Sequence, residues 1–91
     1  MTRSLAEGIV TQAIKDLIDN NEEDRSDAII YFVKQKHVPH CERCGIDPDA
    51  LYGKVLSALC ESGVRRVRIV RDILEDIPRT RNISRTRNIP V

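Results

Sequence analysis

Ninety-one residues, 41% of them hydrophobic, supply one modest core and no second one. Fifteen Lys and Arg against fourteen Asp and Glu leave a formal charge of +1, so net charge neither marks nor excludes a polyanionic partner. Aromatic residues are 3% of the chain, which argues against the stacked-ring platforms of RRM and OB modules and points to an aliphatic core, while four glycines and few alternating β-branched runs count against a sandwich or barrel and favour an all-α domain.

Ser4-Leu5-Ala6-Glu7 has the pattern of a capping box, so the first helix is expected to start there. Leu5, Ile9, Ala13 and Leu17 recur every four residues, with Val10 and Ile14 widening the apolar face. The polar run 19–24 ends this helix. Ser26 or Asp24 is expected to cap the second, whose stripe is Ala28, Ile29, Phe32 and Val33. Lys34-Gln35-Lys36 then places positive charge at its C-terminal end. Pro39 suits the first turn of a short third helix and Gly45 its stop. Asp47-Pro48-Asp49 reads as N-cap, proline at the first helical position and acid in the first turn. That fourth helix runs through Leu51, Val55, Leu56, Leu59 and Cys60 to Ser62-Gly63. Val64, Val67, Val70, Leu74 and Ile77 give a fifth, which Pro78 is expected to close. Beyond it Arg-Thr-Arg-Asn-Ile occurs twice, at 79–83 and 85–89. The expected organisation is a helical domain at 1–78, a compact bundle of about five short helices, followed by a basic, flexible tail at 79–91.

No stretch approaches the length and apolarity of a membrane span, and the first residues lack a signal peptide's apolar segment, so the expectation is a cytoplasmic protein with no membrane partner. Three cysteines, Cys41, Cys44 and Cys60, are an odd number, which favours reduced thiols over a disulfide framework. Residues 1–50 carry six basic and ten acidic side chains, net −4, whereas residues 51–91 carry nine and four, net +5. The near-neutral total therefore conceals a charge dipole along the chain.

Cys41, Gly45, Ile46, Leu51 and Val55 fall where a helix-turn-helix needs a small residue, a turn glycine and apolar anchors, with Cys44 as a further apolar contact. On that reading Tyr52, Lys54 and Ser57 approach the groove of double-stranded DNA. Arg65, Arg66, Arg68 and Arg71, with Arg79, Arg81, Arg85 and Arg87 of the tail, hold phosphates. A homodimer is expected, because one short reading helix gives little affinity. Asp47 and Asp49 open the same helix, however, and two carboxylates there repel a duplex. They favour the alternative of a module that binds a host protein complex.

His37, His40, Cys41 and Cys44 form a second constellation, with Cys-x-x-Cys spacing and Cys60 as the only candidate from elsewhere. Four ligands so close in sequence rarely reach tetrahedral positions, so packing is the preferred reading and no metal or cofactor is assigned. No phosphate loop, nucleophile motif or acid pair suggests catalysis. Asp19, Glu22, Glu23, Asp24 and Asp27 read as a solvated acidic loop.

Asp27-Ala28, Tyr31-Phe32, His40-Cys41-Glu42 and Gly45-Ile46-Asp47-Pro48-Asp49 together resemble a block in small proteins encoded by phages and prophages. The likeness covers about a third of the chain and is most distinctive from Cys41 to Asp49. It implies a helix-turn-helix-like regulator. This sequence departs from the pattern at Cys44, where a small apolar residue is usual, and at Leu51-Tyr52-Gly53, where basic residues often follow.

Overall fold

The computed structural model describes the backbone of residues 2–87 and the side chains of residues 2–77. Those residues form five helices and no strand: α1 (Arg3–Asp16), α2 (Glu22–Val33), α3 (His37–Cys44), α4 (Pro48–Leu59) and α5 (Gly63–Arg87). The all-α bundle expected from the sequence is the observed fold.

Helix α1 starts two residues earlier than the capping box suggests. Thr2 is extended and its hydroxyl accepts from the Leu5 N–H at 3.1 Å, which leaves Ser4 inside the helix. Starting at Thr2 also gains the Ala6 N–H to Thr2 carbonyl bond. The buried face is rotated from the expected one: Ala6, Val10, Ile14 and Leu17 are fully buried, whereas Leu5 is 55% exposed. Both stripes have helical spacing. The one containing Ala6 wins because α1 is the central element, packed mainly on α3 and also on α2 and α5.

Asn21, not Ser26 or Asp24, caps α2, its carboxamide oxygen accepting from the N–H groups of Glu23 and Asp24. Glu22, Glu23 and Asp24 thereby become a first helical turn, where carboxylates favour the helix dipole. The acidic loop expected there is thus largely helix, with only Asp19 outside it and Asp27 further along α2. Ala28 and Phe32 are buried, while Val33 is half-exposed.

Helix α3 stops as expected. Gly45 has φ +81°, a left-handed conformation in which a side chain is strained, and the N–H groups of Gly45 and Ile46 both reach the Cys41 carbonyl. The expected start of α4 also holds. Asp47 accepts from the N–H groups of Asp49 and Ala50, with Pro48 at the first position. Cys41, Cys44, Ile46, Leu51 and Val55 are all buried. These burials suit a DNA-reading unit and an ordinary helical hairpin equally, so they define packing alone.

Helix α5 departs most from expectation. Its backbone does not stop at Pro78 but continues to Arg87. Proline keeps a helical φ, so although it removes its own N–H donor and crowds the carbonyl four residues back, a helix can pass it at a local cost, and residues 79–87 contain no glycine or further proline. The helix can resume after one missing bond. Residues 88–91 of the expected tail lie outside the described residues.

Candidate nucleic-acid interface on α4 and α5

The α4 residues expected to meet DNA are held by neighbours within the chain. Tyr52 is partly buried and stacks on His37, ring centroids 5.5 Å apart and planes 24° from parallel. Lys54 forms an ion pair with Asp76 of α5, and the Ser57 hydroxyl donates to the Gly53 carbonyl one turn back at 3.1 Å. Lys54, Ser57, Ile69, Asp72, Glu75 and Asp76 line the groove between α4 and α5. This groove has an apolar floor and a predominantly acidic rim, and nothing local in the sequence brought residue 54 together with residue 76.

On α5 the arginines divide. The Arg66 Nε donates to the carbonyls of Ala58 at 3.2 Å and Glu61 at 2.9 Å, and a terminal nitrogen donates to Leu59 at 3.2 Å. One guanidinium thus serves three carbonyls at the end of α4 and just beyond it, groups a helix leaves unsatisfied. The expected phosphate role of Arg66 overlooked this local duty. The only hint was a basic residue soon after the Ser62-Gly63 stop. Arg65 is solvent-exposed, with Glu61 at 3.8 Å. Arg68 and Arg71 are exposed. Arg79, Arg81, Arg85 and Arg87 lie on the helical backbone of α5, and their side chains are outside the described residues.

Of the histidine and cysteine constellation, His37, Cys41 and Cys44 face inward, His40 is partly buried and Cys60 is exposed. His37 is 1% exposed and its Nδ1 has no hydrogen-bond partner. Burial pushes its pKa down, opposed by a hydrogen bond to the Pro48 backbone and by the Asp49 carboxylate. Its ring meets Phe32 and Tyr52, with Tyr31 farther off. His40 Nδ1 and the Tyr31 hydroxyl are hydrogen-bonded at 2.7 Å. Burial raises the Tyr31 hydroxyl to about 12, with the Cys41 and Cys44 thiols adding to the shift. Burial likewise raises the Cys41 thiol to about 12 and shifts Cys44 upward. The Cys44 thiol donates to the Cys41 carbonyl at 3.7 Å. Among the described residues no group of three or more His, Cys, Asp or Glu is placed to hold a metal ion, and no helix is long and apolar enough to cross a membrane. His37 as a core side chain bridging α2, α3 and α4 is a role its sequence spacing did not signal.

Compared with known proteins, the chain matches no family model, no curated sequence and no solved structure.

Proposed function

We propose that this chain is a small DNA-binding regulatory protein of the phage type, in which arginines of α5 grip phosphates and α4 makes no base-reading contact. The supporting observation is the composition of α5: eight arginines against three carboxylates within one helix of 25 residues. Arginine suits phosphate because its planar fork donates two parallel hydrogen bonds. Such contacts give affinity that falls with salt and carries little sequence preference. The α4 face argues against base reading, since Lys54 is paired, Tyr52 is stacked and the helix opens on Asp47 and Asp49.

Fluorescence anisotropy with a labelled duplex tests this reading. Binding at low salt should weaken steeply as salt rises, with a logarithmic slope of about −0.9 per phosphate contact, and unrelated duplex sequences should bind alike. Replacing Arg65, Arg79, Arg81, Arg85 and Arg87 by glutamine should abolish it. No binding to any duplex at low salt would refute the proposal.

The acidic rim of the α4–α5 groove favours a second reading, in which the chain docks on a basic surface of a host protein. Saturable binding of an Arg- and Lys-rich peptide, lost in Asp72→Asn with Glu75→Gln and accompanied by no duplex binding, would favour it.

A further inference from the structure

We propose that the outward stripe of α5 is a self-complementary docking surface for a second copy of this chain. Arg68, Arg71, Asp72 and Glu75 recur at three- and four-residue spacing, which puts them on one face of the helix. All four are exposed, Asp72 and Glu75 standing where the stripe meets the rim of the α4–α5 groove, and Val70, Ile73 and Ile77 are the residues of α5 buried in the core. Between positions 68 and 75 charge is segregated along this stripe, two arginines preceding two carboxylates, and Arg79 follows one turn later on the α5 backbone.

Arg68 and Asp72 stand four residues apart, as do Arg71 and Glu75, yet neither pair closes. The ion pairs among the described residues are Lys54 with Asp76 and Arg65 with Glu61. Placing the base before the acid is the weaker orientation for such a pair on one helix. These four charges are therefore available to an outside partner whose own charges run the opposite way, and an antiparallel second copy of α5 has that order. A two-fold axis between positions 71 and 72 sets Arg68 opposite the partner's Glu75 and Arg71 opposite the partner's Asp72. Because the contact is isologous, each pairing occurs twice. A parallel arrangement would instead oppose arginine to arginine, so charge selects the antiparallel one.

One helix pair falls short of the roughly 800 Å² per partner typical of stable interfaces. Association should consequently depend on concentration and weaken with salt. In the dimer Arg68 and Arg71 face the partner, and phosphate contacts fall to Arg65 and the arginines at 79, 81, 85 and 87. Dimerisation and duplex binding are read by different measurements, so either can fail alone.

Sedimentation equilibrium of the full chain tests the proposal. At low salt the weight-average mass should climb with concentration from 10.4 kDa toward twice that value, and added salt should reverse it. Arg68→Glu with Arg71→Glu in one variant, and Asp72→Arg with Glu75→Arg in another, should each remain monomeric. Their equimolar mixture should associate again, because all four pairings between the two unlike variants are of opposite sign, as in the wild type. All four positions are exposed, and circular dichroism verifies that both variants fold. A wild type that stays monomeric throughout, variants that self-associate like the wild type, or a mixture that fails to associate would each overturn the proposal.

Discussion

His37 shows what a single buried polar atom does to this fold. The folded state holds the ring among Phe32, Tyr52 and Tyr31 with Nδ1 unpaired, so its pKa lies below the unfolded value, and Asp49 and the Pro48 backbone only partly oppose that shift. As pH falls through the unfolded value of about 6.5, the unfolded chain takes up the proton first and stability drops. Between the two pKa values the slope approaches about 1.4 kcal/mol per pH unit. Thermal unfolding followed from pH 7 down to pH 5 should give a falling Tm, and His37→Phe should flatten that dependence.

The three thiols separate by the same logic of burial. Cys41 and Cys44 are buried with raised pKa values and Cys60 is exposed. A thiol must ionise to react. Iodoacetamide should therefore label Cys60 alone in the native protein and all three cysteines after unfolding, as peptide mass mapping would show.

At the scale of elements, helix ends decide the architecture. Arg66 closes α4 from outside it, and Arg66→Ala should cost about 2 kcal/mol, the magnitude of hydrogen bonds to a charged donor, measured by urea unfolding. Arg66→Lys should recover little of this, because an ammonium lacks the planar fork that serves three carbonyls. Gly45 ends α3 at φ +81°, and a Cβ there would come within 2.9 Å of the Arg3 guanidinium. The guanidinium end of a flexible side chain can move aside, so the backbone strain dominates. Gly45→Ala should destabilise by about 1–2 kcal/mol, read in the same experiment.

Pro78 carries the opposite sign. It deprives the Leu74 carbonyl of its helical donor within α5. Pro78→Ala should restore that bond and raise the helical signal at 222 nm. An unchanged spectrum would mean that helix continuity across this point does not depend on the missing donor.

At the scale of the molecule, some features were legible from short-range chemistry alone. The helix class, the Asp47-Pro48 start, the Gly45 stop and the burial of Cys41, Ile46, Leu51 and Val55 each depend on a few neighbouring residues. Other features were not. Ser4 and Thr2 both offer a capping hydroxyl, and two adjacent stripes of α1 both have helical period. Tertiary packing settled which face turned inward. The candidate site was legible in its charge but not in its geometry: the basic excess of α5 was plain, whereas the Lys54–Asp76 pair and the stack of Tyr52 on His37 join residues distant in sequence.

The sequence by itself determined an all-α chain with an acidic first half and a basic second, because propensity, capping and charge are local properties. Only the tertiary structure decided which cations face solvent. Lys54 is engaged by an acid 22 residues along the chain and Arg66 by the carbonyls at the nearby end of α4, which leaves Arg65, Arg68 and Arg71 on the outer face of α5.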